Sequence, residues 1–313
     1  MAEKLAVIAI GGNSLIKDNK HQSVEDQYEA AHDTCVHIAD LLQEGWNIVV
    51  THGNGPQVGF ILLRSDIAKT KLHEVPLDSC GADTQGAIGY HLQQNLQNEL
   101  NRRKVARPVA TVVTQVVVDA SDPSFKEPSK PIGPFYNEAE AKKYKEEKGW
   151  AVKEDAGRGW RRVVASPNPL RIVELDSIKS LINAGVAVIA VGGGGIPVIE
   201  KDGLLVGTAA VIDKDRASAL LANNLDASDL IISTAVDKAY LNYGKPDQKA
   251  IDKITVAEAK KYMAEGHFKP GSMLPKMEAA VSFIENGGKH VIITSPEFLV
   301  DAVHGKNGTH VYP

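Results

Sequence analysis

Leu5-Ala-Val-Ile-Ala-Ile10, followed at once by Gly11-Gly12-Asn13, decides how this chain is read. Six apolar residues with no polar alternation describe a strand buried on both faces, the condition of a parallel sheet covered by helices. The glycine pair then marks a tight exit at the carboxyl end of that strand. The same apolar-run-then-glycine pattern recurs. Trp46–Thr51 leads to Gly53-Asn54-Gly55-Pro56, and Val186–Val191 leads to Gly192-Gly-Gly-Gly195. Further strands are expected at Val109–Val118, Leu230–Thr234 and His290–Thr294. Helical spacing fills the intervals. Ser23-Val-Glu-Asp26 can cap a helix carrying Tyr28, Ala31, Cys35, Ile38 and Leu42, with Gly45 as its stop. Other helices are expected at Thr84–Arg103, Ile172–Ala184, Ala209–Asn224, Val256–Glu265 and Pro275–Glu285. Strands alternating with helices predict an α/β fold, a mostly parallel sheet between two helical layers.

One stretch interrupts this rhythm. From Asp119 to about Ser166 there are four prolines, no long apolar run and the mixed-charge segment Lys142–Lys148. It reads as a protruding excursion with a small core around Phe135, Trp150 and Trp160, and excursions of this size are often lids.

The 313 residues carry a formal charge of −4, with 43% hydrophobic and 24% charged residues. These values fit an ordinary globular chain and exclude disordered, collagen-like and coiled-coil classes. Nothing global attracts nucleic acid or an anionic membrane, so any anion affinity must be local. Cys35 and Cys80 are too few for a disulfide framework, which suits a reducing, cytoplasmic setting. No apolar run reaches the ~18 residues of a membrane span.

In a parallel sheet the glycine turns converge on one edge, where inward-facing amides and helix N-termini can hold an anion. The usual nucleotide signatures are missing. There is no Gly-x-x-x-x-Gly-Lys-Ser/Thr, no complete dinucleotide fingerprint, no protein-kinase set, no Gly-x-Ser-x-Gly and no His-Glu-x-x-His. The ten histidines show no ligand spacing, and the metal ligands stay unassigned. Among the lysines, Lys276 follows Gly271-Ser-Met-Leu-Pro275 in the first turn of a helix. A cation there opposes the helix dipole, so folding alone does not ask for it. Lys214, between Asp213 and Asp215, fits either a site or a surface ion-pair cluster.

Taken together, Ala9-Ile-Gly-Gly-Asn13, Thr51-His-Gly-Asn-Gly-Pro-Gln57, Lys130-Pro-Ile-Gly-Pro-Phe135, Gly192-Gly-Gly-Gly-Ile-Pro197, Val211-Ile-Asp-Lys-Asp215 and Gly266-His-Phe-Lys-Pro-Gly-Ser-Met-Leu-Pro-Lys276 resemble the carbamate kinases of the amino acid kinase superfamily, in order and over nearly the whole chain. The resemblance implies a three-layer αβα sandwich. Residues 1–206 would form a carbamate or carbamoyl-phosphate lobe, with 119–166 inserted as a lid, and 207–313 a nucleotide lobe. It implies reversible, Mg²⁺-dependent phosphoryl transfer between ATP and carbamate in a cytoplasmic homodimer, run toward ATP during arginine breakdown. By the same resemblance Lys130, Lys214, Asp215 and Lys276 are catalytic. Gly11, Gly12, Asn13, Gly53, Asn54, Gly194 and Gly195 would bind substrate, and Thr234, Ala235, Asp237, Tyr243, Gly271, Ser272 and Met273 the nucleotide. Lys130 on the excursion would serve where sister kinases use a lysine after the first strand, since here no lysine follows until Lys17. Arg158, Arg161 and Arg162 match the family pattern without an assigned role. Ala165 and Ala235 depart from it, where proline and Asp or Gly are usual. Two other readings stay open: a sister kinase of an acylamino acid or nucleoside monophosphate, and a non-catalytic nucleotide sensor.

Overall fold

The computed structural model describes residues 4–12, 15, 16, 18, 20–154 and 159–313. Asn13, Lys17 and Arg158 lie outside them. An eight-stranded sheet organises the chain. Its spatial order is Lys253–Thr255, Thr309–Tyr312, His290–Thr294, Asp229–Ser233, Leu5–Ile10, Asn47–His52, Ala187–Ile189 and Val109–Thr111. Every neighbouring pair is parallel except His290–Thr294 with Thr309–Tyr312. The period of two is visible within the first strand. Val7 joins the apolar layer on one face, while Ala6, Ile8 and Ile10 join that on the other. Helices Leu175–Asn183, Lys214–Asn224, Val256–Ala264 and Met273–Glu285 cover the first face. Helices Val24–Gln43, Leu77–Arg102 and Leu299–Val303 cover the second. The three-layer αβα arrangement is as expected.

Local signals set several boundaries. Ser23 and Asp26 form a capping box on Val24–Gln43. At the other end Gly45 (φ +88°) lets the amides of Gly45 and Trp46 return to the carbonyls of Leu42 and Leu41, closing the helix. Other boundaries differ from expectation. The helix expected from Ala209 begins at Lys214, because the Asp213 side chain accepts the amides of Asp215 and Arg216 and caps it there. Residues before it stay extended, with Ala210 bridged to Ala165. The helix expected from Thr84 starts at Leu77. Gly55–Ala68 forms a helix that apolar spacing did not reveal.

The expected single strand Val109–Val118 is two strands in two sheets. Val109–Thr111 edges the main sheet, whereas Gln115–Val118 pairs with Pro169–Ile172 and Ile196–Lys201 in a four-stranded sheet. Thr114 sits at the switch, its hydroxyl donating to Val112 O (2.7 Å) and accepting Val191 N–H (3.0 Å).

The excursion is a three-stranded antiparallel sheet, Lys130–Tyr136, Trp160–Val164 and Val152–Glu154, with helix Glu138–Lys148 on it. Its aromatic centre is Tyr136, Tyr144 and Trp150, with ring centroids 4.8–6.1 Å apart. Lys148 and Arg162 lie over the Trp150 ring. Phe135 does not join this core. It precedes Tyr136 by one residue, so strand alternation turns it outward, and it is 42% exposed. Trp160 lies opposite Tyr136 in register and is half-buried. The excursion is seated on helix Gly55–Ala68 by an apolar cluster that includes Val58, Ile132 and Val164, and by two closer contacts. Lys148 Nζ lies 2.7 Å from Asp66 Oδ1, and Gly59 approaches Gly133 so closely that a Cβ would fall 2.3 Å from its Cα.

Candidate functional site

The strands Leu5–Ile10, Asn47–His52 and Ala187–Ile189 end side by side, so their glycine turns meet at one edge of the sheet. The cleft there has a volume of about 790 Å³. Its lining includes Gly12, Gly53, Asn54 and Gly193 on one wall, Lys130 from the excursion, and Asp213, Lys214, Asp215 and Lys276 with Gly271 and Ser272 on the other.

Three cations and two carboxylates interlock within it. Lys130 Nζ lies 2.5 Å from Asp213 Oδ2, Lys214 Nζ 2.5 Å from Asp215 Oδ1, and Lys276 Nζ 3.1 Å from Asp215 Oδ2. Burial raises the Asp215 carboxyl, but Lys214 and Lys276 outweigh it and hold the group well below the usual carboxylate range. Burial likewise opposes ionisation of Asp213, and Lys130 again prevails. Lys214 is pushed down by desolvation, partly offset by Asp215. Both acids are therefore ionised and already engaged, so neither is free to take a proton. The cluster carries three positive and two negative charges, a surplus facing the glycine turns.

Space demands glycine at Gly193 and Gly195, whereas Gly53 makes only ordinary contact. A Cβ on Gly53 would lie 3.4 Å from Lys214 Cδ, so that lysine's stem runs along the turn. At Gly193 a Cβ would fall 2.0 Å from Asn54 Nδ2, and at Gly195 2.2 Å from Val116 Cγ2. Val191, the residue before this turn, is itself left-handed (φ +53°), a strained state for a β-branched residue.

Not every expected binding residue faces the cleft. Gly11 is buried beneath it, with Ser233 O 3.0 Å from where a Cβ would be. The amides of Gly194 and Gly195 close a 3₁₀ turn onto Val191 O and Gly192 O (both 3.0 Å), so Gly193 lines the cleft in their place. Thr234 follows the neighbouring strand, its amide donating to Thr294 O. Ala235, Asp237 and Tyr243 do not line the cleft. Asp237 accepts the Tyr240 hydroxyl (2.7 Å), and the Tyr240 ring lies tilted against Tyr243, centroids 5.8 Å apart. Met273 packs against the apolar layer of its lobe. Arg161, which had no assigned role, lines the cleft and donates to Gly133 O (3.1 Å); Arg162 lies over Trp150.

Several supporting residues escaped the sequence reading. The Asn54 amide donates to Thr84 Oγ1 (2.9 Å), and Gln85 bonds both Thr114 and Gly192. Ser218 donates to Lys214 O and contacts Thr51 (both 2.6 Å). His52 lies under Gly192, its pKa lowered to about 4 chiefly by burial, so it is neutral at pH 7. One signal was available: Gln85 shares the apolar stripe of Ile88, Leu92 and Leu96, where a polar residue needs a partner.

The family profile described as "Amino acid kinase family" matches residues 4–295. The carbamate kinase of Thermococcus kodakarensis is 51% identical, covering 98% of this chain and 99% of the relative. The carbamate kinase-like protein YahI of Escherichia coli is 51% identical over 99% of each. A solved carbamate kinase from Giardia lamblia bound to AMP-PNP superposes with a TM-score of 0.92 at 42% identity, over 99% of each chain. With this likeness running from end to end, the chain belongs to the amino acid kinase family, among its carbamate kinases.

Proposed function

We propose that the protein transfers a phosphoryl group reversibly between ATP and carbamate, forming ADP and carbamoyl phosphate. The observation that carries this reading is the convergence of Lys130, Lys214 and Lys276 on two ionised, fully engaged aspartates across from glycine turns. Carbamate is already an anion, so its oxygen can attack phosphorus without a general base. What the transfer needs is alignment and neutralisation of charge spreading over the moving oxygens. In this reading Lys214 and Lys276 flank the transferring group, Asp215 orients both, and Lys130 closes over it from the lid. Amides of Gly12, Gly53 and Gly193 and the Asn54 side chain hold the small substrate. Gly271 and Ser272 lie on the nucleotide side, continued by Thr234–Asp237 and Tyr243. Residues 1–206 then act as the carbamate lobe with 119–166 as its lid, and 207–313 as the nucleotide lobe. The strand order supports that division, since the main-sheet strands before residue 206 (Leu5–Ile10, Asn47–His52, Val109–Thr111 and Ala187–Ile189) occupy one half of that sheet.

Among the described residues no cluster of three or more His, Cys, Asp or Glu could cage a metal. The donor chemistry fits Mg²⁺ carried by nucleotide phosphates and water, with Asp213 able to reach it through water. Bound there, the ion would neutralise phosphate charge. We also assign the protein to a cytoplasmic homodimer serving arginine catabolism. Its two cysteines are buried and unpaired, and the edge strand Val109–Thr111 lies beside exposed Tyr90 and Val113. The test is a coupled assay of ATP formation from ADP and carbamoyl phosphate, with N-acetylglutamyl phosphate and UDP as competing donors. Preference for either competitor would overturn the reading.

A further inference from the structure

We infer that Gln85, on the helix Leu77–Arg102 behind the cleft, is a positioning residue that aims the Gly193 amide at the substrate. Gln85 is 1% exposed. Its Oε1 accepts Thr114 N–H (2.7 Å), which fixes the amide orientation. Its Nε2 then donates to Thr114 O and to Gly192 O, both at 3.0 Å. Gly192 O also accepts the Gly195 amide. That carbonyl is thereby pinned toward the protein body. In a trans peptide the C=O and the following N–H lie in one plane and point in opposite directions. Pinning Gly192 O inward therefore turns Gly193 N–H outward, and Gly193 is the residue of the four that lines the cleft.

The clamp has something to hold. Val191 is left-handed, a strained state for a β-branched residue, and its amide is tied to Thr114 Oγ1. Without Gln85 the strained turn could rotate the Gly192–Gly193 peptide and withdraw the donor. Gln85 itself touches no substrate; it acts through one backbone group. This inference rests on the carbamate reading above and adds a residue to it.

The experiment compares the full-length parent with Gln85→Leu and Gln85→Glu. Removing one oxyanion donor costs ~10²-fold in kcat or more, so a misdirected donor is expected to lower kcat/KM for carbamoyl phosphate by about 10- to 100-fold in Gln85→Leu. KM for ADP should stay within about twofold, a split that general destabilisation would not give. Gln85→Glu keeps the acceptor for Thr114 N–H and regains one donor when protonated, so its activity should rise as pH falls relative to the parent. Independently of turnover, the Gly193 amide resonance should shift on adding inorganic phosphate to the parent and stay fixed in Gln85→Leu. Folded variants with kcat/KM within threefold of the parent, or losing ADP binding in the same proportion, would overturn the role of Gln85. A parent that makes no ATP while its Gly193 resonance still responds would instead sink the carbamate reading and leave the clamp standing.

Discussion

The two edges of the main sheet both carry ionisable clusters, and only one of them is built as a site. At the strand beginnings Asp229 Oδ1 lies 2.7 Å from His290 Nδ1, His290 Nε2 lies 2.9 Å from His310 Nδ1, and His310 Nε2 bonds Asn307 O. The rings of His290, His310 and Tyr312 stack in parallel. Each polar group there is consumed by the next. At the strand ends the lysines and aspartates also pair, but with one cation in surplus, glycine turns opposite and a cleft between. The difference lies in the backbone. Tight glycine turns expose amides and leave room for a ligand, whereas the opposite edge fills its space with side chains.

The largest effect belongs to the lysines: Lys214→Ala and Lys276→Ala should each lower ATP formation by ~10²-fold or more while circular dichroism stays native. Near-normal rates in both would remove the distinction between the edges. Next comes His52, buried neutral below the turns. With its pKa at about 4 in the fold against the ordinary histidine value of 6.5, the unfolded chain binds the proton first as pH falls. Its contribution is present above pH 6.5 and is lost between 6.5 and 4, amounting to about 3 kcal/mol. A ring that titrates near 6.5 by NMR would contradict this.

At the opposite edge the prediction reverses, with stability moving and rate not. Asp229→Asn should cost about 1.5 kcal/mol by thermal or urea unfolding and leave kcat unchanged, since it weakens a half-buried, charge-assisted bond. A loss of rate without loss of stability would mean the two edges communicate. The smallest effect is expected at the lid seat. Lys148→Ala removes the Asp66 pair and the cover over Trp150. It should change KM for carbamoyl phosphate only a few-fold, as befits a partly exposed ion pair with a cation–π contact.

Much of the scaffold was readable in advance. Leu5–Ile10 and His290–Thr294 are strands as bounded from the sequence, and the Ser23 cap and Gly45 stop end their helix as expected. These features rest on neighbours a few residues apart. The break at Thr114 was not readable, because Val109–Val118 stays apolar across a change of sheet and only distant partners distinguish the halves. The same limit hid the lid core. The choice of Tyr136 over Phe135 depends on which face of the strand meets helix Glu138–Lys148. Among the site residues, Lys130, Lys214, Asp215 and Lys276 were named from motifs and do meet. Gly194 and Gly195 were named as donors, yet their amides are spent inside the turn.

The order of strands and helices, the glycine-rich exits and the identity of the charged residues follow from the amino-acid order alone, because caps, periods and turns are local in the chain. Which amide faces the cleft, which carboxylate holds which lysine, and that Gln85 bonds both Thr114 and Gly192 emerge from the packing of distant segments. Those outcomes depend on hydrogen bonds and steric exclusion between groups far apart in the chain, 107 residues in the bond from Gln85 to Gly192, and local propensity carries no record of them.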